Sequence, residues 1–324
     1  MSFHKDILIV DPEAETNRII GFLQNQMASF RRDGIVLGLS GGIDSALCAE
    51  FCVRALGRDK ILGLILPEKE SNPVSKEFAL LQAKKLGIET EIIEITSLLE
   101  AFNTYGKRDK FVKKVFPEYK NHNKIKITLP SNLLTKDSFN FFTLTVDDGK
   151  GNLQSKRLNK ERLNGIVAAT NTKQRARLMN LYYYAERRNY LVCGTTNRTE
   201  MLQGFFVKYG DGGVDMEPIA HLYKTQVFQL AEHLEVIKKI RDRIPGPDTY
   251  SCDVSDEEFF FRIPFDNLDL LLYAWENKIP LEEISKTMNL TEQQVNRVFR
   301  DFQSKYRASK HLRMLPPSLL RIQI

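Results

Sequence analysis

The stretch Gly34-Ile-Val-Leu-Gly-Leu-Ser-Gly-Gly-Ile-Asp-Ser45 constrains this chain more than any other. Its first seven residues read as a short buried strand, and a helix follows at once from Asp44 to about Leu56, ended by Gly57. A Gly-rich turn between a buried strand and a helix start gathers unpaired N–H groups and the positive end of the helix dipole around one small cavity. Such a cavity binds an anion. Gly41 and Gly42 let the backbone approach phosphate oxygens, Ser40 and Ser45 can donate hydroxyl hydrogen bonds, and Asp44 offers a carboxylate to a divalent metal. No lysine follows the glycines, so this is not the GxxxxGK[ST] loop.

The flanking pattern predicts a parallel sheet with crossover helices. Ile19, Ile20, Leu23 and Met27 recur at helical spacing between Asp11 and Phe30. Ile61 to Leu66 is a second buried strand, Ser75 to Leu86 a helix closed by Gly87, and Glu89 to Ile95 a third strand. From about Lys107 to Arg162 the pattern breaks. A lysine-rich stretch, two alternating runs starting at Lys124 and Phe139, and the turn-forming Asp147-Asp-Gly-Lys-Gly151 read there as an inserted hairpin or flap. The pattern resumes with a helix from about Asn171 to Arg188, a strand Tyr190 to Gly194 and a helix from about Tyr223 to Leu234, and the segment 265–324 reads as a helical tail, from Pro280 in particular. The expected fold is one α/β domain over 1–324, a parallel sheet flanked by helices, interrupted by the insertion 107–162.

A second constellation is Gly194-Thr-Thr-Asn-Arg-Thr-Glu-Met-Leu-Gln-Gly-Phe-Phe-Val-Lys-Tyr-Gly-Asp-Gly-Gly-Val-Asp215, followed by Pro218-Ile and Leu222-Tyr-Lys-Thr-Gln226. Thr195 and Glu200 leave the end of a strand, and Glu200 can share a metal with Asp44. Lys208, Asp211 and Asp215 sit on a polar, glycine-rich loop that cannot be a buried core element. Lys224 opens a helix, where a lysine opposes the helix dipole unless an anion is near. Upstream, Arg175 and Arg177 in Asn171-Thr-Lys-Gln-Arg-Ala-Arg-Leu-Met179 are two apart and cannot point the same way. At most one of them meets an acidic substrate.

The first loop resembles that of the N-type ATP pyrophosphatases, whose fold is adenine nucleotide α-hydrolase-like and Rossmann-like. The second constellation and the Asn171 helix are similar, in order and spacing, to the NAD synthase family within that group, over roughly residues 15–105 and 165–320. The resemblance implies a carbon–nitrogen ligase that adenylates nicotinic acid adenine dinucleotide with ATP and then forms the amide with ammonia. It implies ATP at Gly38, Ser40, Gly41, Gly42, Asp44, Ser45, Thr195 and Lys224, and Mg2+ on Asp44 and Glu200. The acid substrate would meet Asn171, Arg175, Lys208, Asp211 and Asp215, with Asp44, Lys224 and Asp211 in catalytic roles, Asp211 holding ammonium. A homodimer with the dinucleotide at the subunit interface is also implied.

Several features bound this reading. The chain has no room for a fused glutaminase, so ammonia comes free or from a separate partner. The first residues lack a secretory pattern and no run of eighteen apolar residues occurs, which points to the cytosol. Cys48, Cys52, Cys193 and Cys252 form no CxxC pair and read as free thiols. The formal charge of +6 is spread along the chain and suits small anions as well as nucleic acid. Leu281 to Phe299 resembles a helix-turn-helix, which keeps DNA binding as a minor alternative. Two departures from the family touch the acceptor side: Gly246 stands where a small hydroxyl residue is usual, Thr249 or Ser251 being the replacements, and His311-Leu-Arg replaces an expected His-Lys-Arg. With the insertion, they leave another carboxylate, such as a sugar uronic acid, as the alternative substrate.

Overall fold

The computed structural model describes residues 2–130, 132–135 and 141–319. Helix α1 (Pro12–Phe30) starts where Asp11 accepts hydrogen bonds from the Glu13 and Ala14 N–H groups and Pro12 fills the first turn. There follow β1 (Gly34–Gly38), α2 (Ile43–Leu56), β2 (Ile61–Ile65), α3 (Pro73–Leu86), β3 (Glu89–Ile92), α4 (Thr96–Ala101) and α5 (Thr104–Lys113). Three further strands, β4 (Lys124–Thr128), β5 (Thr143–Asp147) and β6 (Leu153–Arg157), precede α6 (Lys160–Arg188) and β7 (Tyr190–Cys193). The chain ends with α7 (Arg198–Gln203), α8 (Lys224–His233), α9 (Lys238–Arg241), α10 (Phe265–Glu276), α11 (Leu281–Met288) and α12 (Glu292–Ala308).

Strands β3, β2, β1 and β7 form a parallel sheet in that order. Alternation along each strand divides its side chains between two cores. Ile35, Leu37, Ile61, Ile65, Leu191 and Cys193 face the layer of α1, α2 and α8, whereas Val36, Leu62, Leu64 and Val192 face α6. Both faces are therefore covered, as a parallel sheet requires. Burying each of these aliphatic side chains contributes about 1.5–3 kcal/mol.

The insertion forms an antiparallel sheet, β4-β5-β6. Ile125, Ile127 and Leu144 pack with Phe116 and Ile166 in a core of its own, while every residue of β6 is exposed. Phe139 and Asn140, at the start of the second expected strand, lie outside the described residues. The lysine-rich stretch near Lys107 was expected in the flap but is helical, in α5. Helix α6 begins at Lys160, eleven residues before the expected start, because the Asn159 side chain caps the Arg162 N–H at 2.9 Å. Gly165 lets α5 and α6 approach, since a Cβ there would lie 2.4 Å from the Phe111 ring. Strand β3 stops at Ile92, three residues before its expected end.

Helices α10 to α12 enclose another core around Leu268, Leu271, Ile284, Val295 and Phe302. In the helix pair that resembles a DNA reader, Gln294 and Arg297 donate to the carbonyls of Leu133 and Leu134. These contacts give the pair an internal packing role.

Candidate active site

The loop between β1 and α2 is built from its own hydrogen bonds. Ser45 Oγ donates to the Gly42 carbonyl at 3.0 Å and accepts the Ser40 N–H at 3.2 Å, while Ser40 Oγ accepts the Gly42 N–H at 3.2 Å. Gly41 has φ +76°, and a Cβ there would sit 2.2 Å from the Ser75 carbonyl oxygen, so only glycine fits. This turn opens onto a cavity of about 700 Å³. Gly38, Ser40, Gly42, Asp44 and Ser45 line it, and β7 brings Thr195 to the same wall.

Asp44 lies in the first turn of α2, and both of its oxygens are held. Asn197 Nδ2 donates to Oδ1 at 3.0 Å, and Lys224 Nζ to Oδ2 at 2.5 Å. Asn197 caps α7 in a reciprocal box with Glu200: its side chain accepts the Glu200 N–H, and its own N–H donates to Glu200 Oε2. Glu200 is thereby fixed beside Asp44. Burial, and then the Asp44 carboxylate, push the Glu200 carboxyl well above the usual range. Burial alone would lower Lys224, but Asp44, Glu200 and Asp256 outweigh it and hold the ammonium above its ordinary value.

Lys224 is placed by a group that sequence reasoning missed. Asp269, fully buried on α10, accepts from Thr199 Oγ1 at 2.6 Å and from the Thr225 N–H at 2.7 Å, and Thr199 Oγ1 in turn accepts the Lys224 N–H. The C-terminal helices thus position the amino end of α8. Burial pushes the Asp269 carboxyl up to about 6 despite these bonds. Glu217 is a second missed group. Its Oε2 accepts the Thr196 N–H at 3.0 Å, and it lies so near Gly194 that a Cβ there would meet its carboxyl at 2.4 Å. Burial pushes it up to about 8.

A pH dependence of stability follows from these two groups. Asp269 and Glu217 bind their protons more tightly in the fold than in the unfolded chain, where carboxyls titrate near 4. The folded chain therefore loses stability as pH rises from about 4 to about 8. Thermal unfolding should occur at a higher temperature at pH 6 than at pH 8.5, and Glu217→Gln should flatten the upper part of that decline. An unaltered slope in the variant would show that Glu217 is already ionised in the fold.

The far end of the cavity carries the other expected residues unevenly. Asn171 and Asp211 line it, and Asp211, open to the cavity, is raised to about 6 by the protein crowded around it. Of the two arginines, Arg177 lines the cavity and donates to the Leu66 carbonyl at 3.1 Å, whereas Arg175 is exposed and donates to the Lys208 carbonyl. Lys208 points to the tail, its Nζ donating to the carbonyls of His311 and Met314. Asp215 accepts from the Val192 N–H and the Tyr182 hydroxyl, which anchors the glycine-rich loop to β7 and α6. The structure therefore gathers Asn171 and Asp211 with Arg177, and turns Arg175, Lys208 and Asp215 away from the cavity. Of the two hydroxyls considered as replacements near Gly246, Thr249 lines the cavity, while Ser251 accepts the Ile125 N–H of β4. Gly246 itself lets the chain pass the Val254 carbonyl, which a Cβ would meet at 2.5 Å.

The residues around Asp44 can accommodate a divalent cation. Among the described residues no three His, Cys, Asp or Glu side chains enclose an ion by themselves. Mg2+ commonly takes one or two carboxylates and completes its shell with phosphate oxygens and water, and Asp44 with Glu200 beside an anion-binding turn is that kind of donor set.

The sequence matches the NAD synthase family model over residues 15–128 and 108–316. A protein of Rhizobium meliloti (strain 1021) named NH(3)-dependent NAD(+) synthetase is 42% identical over 314 residues, 97% of this chain and 94% of the relative. One of the same name from Mesorhizobium japonicum is 43% identical over 98% of this chain and 99% of its own. Among solved structures, NH3-dependent NAD synthetase from Campylobacter jejuni superposes with TM-score 0.64 at 24% identity, covering 96% of this chain and 100% of its own. NMN synthetase from Francisella tularensis superposes with TM-score 0.66 at 23% identity, covering 96% and 99%. These two likenesses speak for the fold.

Proposed function

This chain belongs to the NAD synthase family, and we propose that it converts nicotinic acid adenine dinucleotide to NAD with ATP and ammonia. The observation that carries this reading is the meeting of Asp44 with Asn197 and Lys224, residues 153 and 180 positions away, at the mouth of an anion-binding turn. Oxide is a poor leaving group, so the acid is activated first. Its carboxylate attacks the α-phosphorus of ATP, the bond to pyrophosphate breaks, and the acyl-adenylate forms. Ammonia then attacks the acyl carbon and AMP leaves.

In this scheme the turn Ser40 to Ser45 holds phosphate oxygens on N–H groups other than those of Ser40 and Gly42, which its own hydroxyls occupy, and Thr195 flanks the nucleotide. Lys224, buried and protonated, neutralises charge developing toward pyrophosphate. Mg2+ would be held by Asp44 and Glu200 and would add charge neutralisation on the phosphates when bound. Asp211 is the carboxylate that holds ammonium and takes up its proton. Asn171 and Arg177 face the acid substrate, and Arg177→Ala should raise its KM about tenfold or more while Arg175→Ala changes it far less. Initial-rate kinetics with varied acid tests this; equal effects would reassign the recognition.

Gly246 has a structural use here, room for the Val254 carbonyl, and Leu312, the altered residue of the tail, lines the cavity; the family match favours the dinucleotide over another acid. Met179 and Tyr183, exposed one turn apart on α6 beside Arg175, support a homodimer meeting along that helix. Among the described residues no helix is long and apolar enough to cross a membrane, and we place the reaction in the cytosol, with ammonia free or handed over by a separate glutaminase. The test is pyrophosphate release from ATP, magnesium and ammonium, with and without nicotinic acid adenine dinucleotide. Release that needs the dinucleotide and yields NAD supports the reading; release driven only by another carboxylate would replace it.

A further inference from the structure

The cavity is roofed by the segment from Arg243 to Asp256, which carries a group with no task so far. Part of this segment is tied to the start of α3: Asp248 Oδ1 accepts the Asn72 N–H at 3.0 Å, Asp253 accepts from Asn72 Nδ2 at 3.0 Å, and Arg243 donates to Ser75 Oγ at 2.9 Å. Asp256, at its end, is different. It is 5% exposed and lines the cavity, and its Oδ1 has no hydrogen-bond partner among the described residues. Its charge is felt by both Lys224 and Asp44. A buried carboxyl oxygen without a donor costs desolvation free energy that no hydrogen bond offsets.

The surroundings say what it is kept for. One ammonium, Lys224, faces three carboxyl groups, Asp44, Glu200 and Asp256, and hydrogen-bonds Asp44 alone. A divalent cation on Asp44 would compete with Lys224 for the same carboxylate charge and would repel the ammonium beside it. Building on the nucleotide site read above, the geometry points to Asp256 as a positioning residue: when Asp44 is drawn to a divalent cation arriving with the nucleotide, Asp256 becomes the protein counter-ion of Lys224 and ties the roof segment down over the phosphates. The free chain keeps Asp256 waiting. Nucleotide binding at the carboxyl ends of β1 and β7 is thus coupled to closure of a segment about two hundred residues after the anion-binding turn.

Asp256→Asn keeps the side chain's size and removes its charge, which separates this role from a packing role. Without ligand the variant should unfold at the same or a higher temperature than the parent, because an unpartnered buried carboxyl has been removed. With magnesium and ATP and no acid substrate, hydrogen exchange of residues 244–255 should slow in the parent and not in the variant. KM for magnesium-ATP should rise about tenfold in the variant, the scale of one hydrogen bond to a charged group. A variant that unfolds at a lower temperature, or whose roof segment is protected as in the parent with unchanged KM, overturns the inference. Absence of any magnesium-ATP effect in the parent itself would sink the NAD synthase reading as well, and a normal parent response with a normal variant response sinks this inference alone.

Discussion

Asp44→Ala should lower the rate of pyrophosphate release about 10³-fold, the scale reached when one preorganised electrostatic group is removed from a reaction centre. Asp44 is the point where three separate stretches meet: α2, through its first turn; α7, through Asn197; and α8, through Lys224. Removing the carboxylate takes away a candidate metal ligand and the partner that holds Lys224. The fold should survive, because Glu200 and Asp256 remain within electrostatic reach of the ammonium. Circular dichroism and thermal unfolding would verify that, so that the rate loss can be assigned to the site. A variant retaining activity within tenfold of the parent would remove Asp44 from the ATP site and with it the proposed arrangement.

The largest effect on stability should come from Lys173→Ala, at about 3–5 kcal/mol, the usual cost of leaving buried charges uncompensated. Lys173 is wholly buried on α6, and its Nζ donates to Glu68 Oε1 at 2.7 Å, to Glu70 Oε2 at 2.8 Å and to the Thr249 carbonyl at 3.0 Å. Arg108 bonds Glu70 and Asp109, and the Tyr105 hydroxyl donates to Glu68. Burial would raise Glu70, but Arg108 and Lys173 outweigh it and hold its carboxyl below the usual range. The network joins the turn after β2, α5, α6 and the cavity roof. Replacing Lys173 by Met together with Glu68→Gln and Glu70→Gln should recover much of the loss, because neutral groups of similar size leave no charge stranded. Urea denaturation of the single and triple variants checks both statements. A single variant costing under about 1 kcal/mol would show that water enters and relieves the network.

The parts of this molecule that were legible in the sequence are those whose reason is local. The turn from Gly38 to Ser45 announces itself because strand, glycines and helix start are consecutive, and the parallel sheet follows from the spacing of Ile35 to Leu37, Ile61 to Ile65 and Leu191 to Cys193. Arg175 and Arg177 show where local reasoning ends. The two-residue spacing implies that they diverge, but which one enters the cavity depends on how α6 packs against the Leu66 carbonyl. Asp269 lies 70 residues from the threonine it holds, and Lys173 lies 105 residues from Glu68. No periodicity marks such pairs, because each side chain's role is set by a partner from another element. The early start of α6 was hidden by its surroundings: Asn159 is an adequate cap, but it follows directly on a strand ending at Arg157.

The position of β7 has a consequence for how this molecule comes into being. Its backbone pairs with β1 from Gly34 to Leu37, and Asp33 and Asn189 are 156 residues apart where that pairing begins. Strands β1, β2 and β3 can find one another through short crossovers, but β7 must close a loop holding the whole insertion and the long α6, and such non-local closures are slow. Thr195, Asn197, Glu200 and Lys224 all follow that strand. A chain emerging during synthesis therefore displays its anion-binding turn long before it owns Glu200 and Lys224, and competence for nucleotide chemistry waits for β7 to pair and then for α10 to bring Asp269 against the amino end of α8.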